Sequence, residues 1–224
     1  NNQLADEDFA VLRELPKLKK LSARSTFVRN ISALTELRHL ESLSLGGNEI
    51  RDISALANLP RLHTLSLFDN ALESVEPLRN LTALKILSLN YNNLSDISPL
   101  AALAELEELH LAGNAIRDIA PLEGLPKLFR LNLSNNQIQV IRPLVSLPEL
   151  KFLSLDRNPV ADFPPEIAFS GDVARPRAFF HSLDKSQMES AGAAPEATPD
   201  GPGAPPDDSQ PVLEVKLILV GNPT

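Results

Sequence analysis

The chain contains no cysteine, which excludes a disulfide framework and any thiolate metal site. It has no apolar run approaching the roughly 18 residues a membrane-spanning helix needs, and no signal-peptide pattern opens it. The expectation is a cytoplasmic protein with no membrane contact. Basic residues are in deficit: 21 Lys and Arg stand against 29 Asp and Glu, a net charge of −8, and the cations do not cluster. A nucleic-acid partner is therefore not expected. Aromatics make up only 4 % of the residues, so where they fall carries information.

What is present is a period. A step of 22 from Leu40 lands on a leucine five times, ending at Leu150, and the same step carries Leu43 to Leu153 and Leu45 to Leu155. It also joins Asn48, Asn70, Asn92, Asn114, Asn136 and Asn158, with no insertion or deletion. The pattern LxxLxLxxN at this period resembles the leucine-rich-repeat signature. That likeness implies an α/β repeat solenoid, with a parallel sheet on its concave face and short 3-10 or helical turns on its convex face.

The residues support the same reading by themselves. Leu43 and Leu45 are two apart, which puts them on one face of a strand but on opposite sides of a helix. After each strand the chain turns, and an Asn amide both donates and accepts. The Asn column is expected to act as a structural ladder, tying the turn of its own repeat to the next one. Further aliphatic columns follow: Ile50 to Val160, Ile53 to Phe163, and Leu56 to Leu144. Asp52, Ser74, Asp96 and Asp118 precede the second of these, and Pro77, Pro99, Pro121 and Pro143 follow it. A capping side chain with Pro in the first turn predicts a single 3-10-like turn in each repeat.

The array has distinct ends. Residues 1–17 read as a helical cap through Phe9, Leu12 and Leu15, and 18–164 as seven repeats, the first degenerate with Ala23 and Thr26 at consensus Leu and Asn positions. Residues 165–190 read as a C-terminal cap, with Phe179, Phe180 and Leu183 covering the last repeat. From 191 to 211 there are six prolines, three glycines and four acids with no aromatic or basic residue, the composition of a flexible linker. Residues 212–224 form a β-branched run into Gly221, the way a strand enters a phosphate-binding loop of the form GxxxxGK(S/T); any neighbouring domain's strand would read the same way.

The order of AsnPro…ProProGluIle, short cap, linker and LysLeuIleLeuValGlyAsn over 158–224 resembles the bacterial Roco proteins, although the linker is longer and richer in proline than theirs. In that family the repeats precede a Ras-like Roc GTPase domain and a COR dimerisation domain. The resemblance implies that Gly221 is the first glycine of a P-loop completed beyond Thr224. It further implies a parent that binds GTP and Mg²⁺ and forms a homodimer, while this chain holds no cofactor or metal itself. The repeats would then be a regulatory module that binds a protein or the parent's own Roc–COR region. The alternative is a free-standing, internalin-like bacterial binding protein.

Outward strand positions offer the partner-binding candidates. Small residues dominate them, but Phe68, Ile86 and Tyr91 fall in the middle repeats, and Phe129, Arg130 and Phe152 form a second group toward the C-terminal end. Exposed aromatics and Arg are the usual anchors of interfaces. No catalytic set emerges: His63 and His110 lie about two repeats apart, and Asp69 and Asp156 do not pair with them. The Asn-x-Ser/Thr triplets at Asn30, Asn80, Asn93 and Asn132 are expected from repeat composition alone.

Overall fold

The computed structural model describes residues 6–162 and the isolated position 178. Seven three-residue strands stack in chain order into one parallel sheet: β1 (Lys20–Ser22), β2 (Ser42–Ser44), β3 (Thr64–Ser66), β4 (Ile86–Ser88), β5 (Glu108–His110), β6 (Arg130–Asn132) and β7 (Phe152–Ser154). Each pairs with its neighbour in a register offset of one repeat, so Leu43 faces Leu65 and Leu87 faces Leu109. The central leucine of each strand turns inward, and its two neighbours project from the other side of the pleat. Leu43, Leu65, Leu87 and Leu109 are fully buried.

On the convex side the chain forms 3-10 segments: η1 (Asp6–Glu14), η2 (Ser32–Glu36), η3 (Ser54–Leu56), η4 (Glu76–Leu78), η5 (Ser98–Ala102), η6 (Ala120–Leu122) and η7 (Arg142–Ser146). Apart from η1, each has room for only one or two turns between the strands. Four of them carry Pro at the first or second position, as the sequence predicts. The caps work one residue earlier than a standard N-cap. Asp52, Asp96 and Asp118 accept from the backbone N–H two residues on, at 2.8, 2.8 and 2.9 Å, in Asx turns.

The core is one continuous cluster running from Phe9 to Leu155. It includes a column the sequence reading overlooks, Leu37, Leu59, Leu81, Leu103, Leu125 and Leu147, all essentially inaccessible to water. The same step of 22 would have found it. A second overlooked regularity is a column of left-handed backbone at Ser25, Gly47, Asp69, Tyr91, Gly113, Asn135 and Arg157, with φ between 52° and 69°. Glycine, Asn and Asp occupy four of these seven places because they tolerate that conformation best.

The Asn ladder runs opposite to the expected direction. Asn92 accepts from Leu72 N–H at 3.1 Å and donates to Leu67 C=O at 3.0 Å, both in the preceding repeat, and to Leu89 C=O of its own at 3.1 Å. Asn48, Asn70, Asn114, Asn136 and Asn158 bond in the same backward direction. Each repeat therefore closes the turn of the one before it. At the degenerate first repeat Thr26 stands in the Asn column, and Asn48 receives both its N–H and its hydroxyl. The expectations for Phe163, the cap at 165–190, the linker at 191–211, and the strand at 212–224 with Gly221 lie outside the described residues, Ala178 excepted.

Candidate protein-binding face

The outward positions of the strands form the concave face. At its C-terminal end Glu108, Arg130 and Phe152 are consecutive rungs of one column. The Arg130 guanidinium carbon lies 4.5 Å from the centre of the Phe152 ring and 6.0 Å from that of Phe129. The two rings meet edge to face, 6.4 Å apart at 71°, a preferred geometry for aromatic pairs. Phe129 reaches this group from the position just before β6, and Phe152 keeps 52 % of its surface exposed.

Arg130 is held by stacking more than by hydrogen bonding. Its Nε lies 3.4 Å from Glu108 Oε2, an ion-pair contact, yet that nitrogen is shielded from water and makes no hydrogen bond. The contact is too long and too poorly aligned to satisfy the N–H. Glu108 also lies 3.6 Å from His110 Nε2.

The middle group does not assemble as expected. The Phe68 ring lies back over Gly46, where an added Cβ would be only 2.1 Å from ring carbon Cε1. The Tyr91 ring lies forward over Gly113, 2.5 Å from the corresponding point. The two rings thus lean apart, each onto a glycine one repeat away. Left-handed backbone at Tyr91 (φ 56°) places its side chain at the end of the strand rather than on it, 61 % exposed. Ile86 is 37 % exposed. Phe68 has a different companion, Arg24, whose guanidinium sits 5.8 Å from its ring centre while its Nε donates to Ser44 Oγ. Arg24, Gly46 and Phe68 occupy one column at steps of 22, and the central glycine is the sequence signal that lets two long side chains meet across a repeat.

Beside the face, just before the strands, runs a ladder of opposite charges. Lys19 pairs with Glu41 and Lys85 with Glu107, both at 2.9 Å, and in a neighbouring column Lys127 pairs with Glu105 at 2.7 Å. The hydrogen bond to Glu107 holds the Lys85 ammonium above its ordinary pKa, and that from Lys127 holds the Glu105 carboxyl below its own. These exposed pairs contribute little each, but they leave the sheet's flank neutral. Among the described residues no group of three or more His, Cys, Asp or Glu could hold a metal ion, and no helix is long and apolar enough to cross a membrane.

Two family profiles match consecutive stretches of the chain. One described as leucine-rich repeats in two copies covers 16–58, 38–80, 60–102 and 82–124, and one described as leucine-rich repeat covers 104–160. The chain belongs to the leucine-rich-repeat family. Among solved structures it resembles an internalin of Listeria monocytogenes, with 32 % identity and a TM-score of 0.55 over 70 % of this chain and 51 % of the internalin. A leucine-rich-repeat protein of Leptospira interrogans shares its fold at 24 % identity and a TM-score of 0.61, over 74 % of this chain and 48 % of that one. So does the ectodomain of the Arabidopsis thaliana receptor kinase GASSHO1, solved in complex with Casparian strip integrity factor 2, at 25 % identity and a TM-score of 0.61 over 66 % of this chain and 19 % of that one. The chain thus spans about half the length of the two bacterial relatives. No curated protein matches it.

Proposed function

We propose that this chain is the protein-interaction and regulatory repeat module of a Roco-type GTPase, and that it engages its partner through the concave face. The observation that carries the binding role is the stack of Phe129, Arg130 and Phe152, which the core does not need and which leaves an aromatic–arginine surface open to solvent. Such side chains anchor interfaces because the rings bring large apolar area and the guanidinium, held against a ring, brings directed donors. The Roco assignment rests on the resemblance of LysLeuIleLeuValGlyAsn to the start of a Roc P-loop. In this reading the parent is a cytoplasmic homodimer that binds GTP and Mg²⁺ beyond Thr224, and the repeats contact either a separate protein or the Roc–COR region. A second reading, a free-standing binding protein, is favoured by the 32 % identity to an internalin.

Two experiments test these readings. Substituting Arg130→Ala and Phe152→Ala in the full-length parent should weaken capture of its partners by about 1–2 kcal/mol each, with thermal stability changed by no more than about 0.5 kcal/mol. Intact capture with an unchanged melt would show that these side chains are bystanders. Reading the coding sequence past Thr224 tests the parent: GlyLysSer or GlyLysThr within about five residues completes a P-loop, and anything else leaves the free-standing reading.

A further inference from the structure

Two arginines on the concave face share an arrangement that the general binding role does not require. Arg24 lies against Phe68 near one end of the sheet and Arg130 against Phe152 near the other. Each guanidinium is fixed in orientation by a ring. Arg24 donates one hydrogen bond, through Nε to Ser44 Oγ, and Arg130 donates none to any described residue. In both, the two terminal nitrogens meet no acceptor among the described residues. A guanidinium fork that is oriented and has donors to spare matches a carboxylate bidentately, and orienting it in advance removes part of the entropic cost of binding. Glu108 forms an ion pair with Arg130 at 3.4 Å from Nε but makes no hydrogen bond there, so it leaves the fork's donors available to a bidentate carboxylate.

Charge across the face agrees. In a chain of net charge −8, the outward strand columns carry three cations, Lys20, Arg24 and Arg130, against two anions, Glu108 and Asp156. Between the arginines run Ser44, Ser66 and Ser88, short half-buried hydroxyl side chains, followed on β5 by His110 with Glu108 beside Arg130. Arg24 is bound at β2 and Arg130 stands on β6. Four strand spacings of about 4.8 Å separate them by about 19 Å, which an extended peptide at about 3.3 Å per residue covers in about six residues.

We propose that the concave face grips an extended acidic peptide segment of its partner, with carboxylates about six residues apart, one on Arg24 and one on Arg130. This rests on the concave-face reading above and specifies the chemistry of the partner.

The test is fluorescence anisotropy of the 224-residue chain with labelled synthetic peptides in a Ser/Val background. One peptide carries two Asp six positions apart, a second carries them three positions apart, and a third has Asn at both positions of the first. The first should bind at least tenfold more tightly than either of the others. Arg24→Lys and Arg130→Lys, which keep the charge but lose the planar fork, should each weaken it at least fivefold while leaving the thermal melt unchanged. Equal affinity for the Asp and Asn peptides, no binding of either, or unchanged affinity in the Lys variants would overturn the proposal. If the peptides bind without Asp preference while Arg130→Ala and Phe152→Ala still weaken partner capture, the carboxylate grip fails and the concave-face reading stands. Partner capture unaffected by those alanines would overturn the concave-face reading and, with it, the grip on the partner, even if the Asp peptides bind selectively.

Discussion

At the scale of single residues, the asparagine column shows how one side chain type can be both repeated and indispensable. Asn92 is buried and reaches four backbone groups in two repeats through Oδ1 and Nδ2. Removing it leaves the Leu72 N–H without its partner, while the Leu67 and Leu89 carbonyls each keep one, Asn70 Nδ2 and Asn114 Nδ2, both at 3.1 Å. A stranded buried N–H costs about 1–3 kcal/mol, so Asn92→Ala should destabilise by about 2 kcal/mol in a urea titration, and Asn92→Asp should destabilise too, because a carboxylate cannot donate to the carbonyls and sets a buried charge beside them. The backward direction of the ladder was not legible in the sequence. A strict period of 22 is symmetric with respect to which neighbour an amide reaches, and only the three-dimensional path of the chain decides it.

At the scale of the element, the convex turns depend on a carboxylate or hydroxyl placed two residues before the first free N–H. Val140 breaks this column, and its turn is repaired from the next repeat: Asp162 accepts from Ile141 N–H at 2.9 Å and from Arg142 N–H at 3.1 Å. Asp162→Ala should therefore cost about 1–2 kcal/mol, the usual size of a lost cap. Adding Val140→Asp should recover most of it, because the new carboxylate meets Arg142 N–H as Asp118 meets Ala120 N–H. A double variant no more stable than Asp162→Ala, by thermal melt, would show that Asp162 acts otherwise.

The same turns set a pH dependence. The backbone N–H of Ser54 and that of Ser98, helped by their hydroxyls, hold Asp52 and Asp96 below the usual carboxylate range. Hydrogen bonds from Lys19, Arg79 and Lys127 lower Glu41, Glu76 and Glu105 in the same way. Folded values below unfolded ones of about 3.9 for Asp and 4.3 for Glu mean that this stabilisation is complete above about pH 5 and lost as pH falls through the folded values. The melting midpoint should be flat from pH 7 to about 5 and decline below about pH 4. Asp52→Asn with Asp96→Asn should shallow that decline, since an amide oxygen keeps the Asx turn but does not titrate in this range.

At the scale of the molecule, the repeats share one core, so they should unfold together. Leu109 sits mid-stack with no accessible surface, and Leu109→Asp places a carboxylate there without a counterion. The expected loss is about 4 kcal/mol or more, with the single urea transition broadened or split as the flanking repeats uncouple. An unchanged single transition in circular dichroism would contradict the core assignment.

The sequence by itself determined the solenoid, the parallel sheet, the 3-10 turns and nearly every core position, because each of the seven strands repeats one geometry and so demands the same residue type at the same step. It also placed Phe129, Arg130 and Phe152 in neighbouring repeats. Tertiary structure alone decided what those long side chains touch. Phe68 and Tyr91 looked like neighbours by repeat number and instead lean apart, because each ring settles over a glycine one repeat away, in opposite directions. Arg24 looked unremarkable and is drawn onto Phe68 across Gly46. A core column is constrained by burial on every side and can be read from periodicity. An outward side chain is constrained only by which neighbour leaves space or a ring beside it, and that is settled in three dimensions.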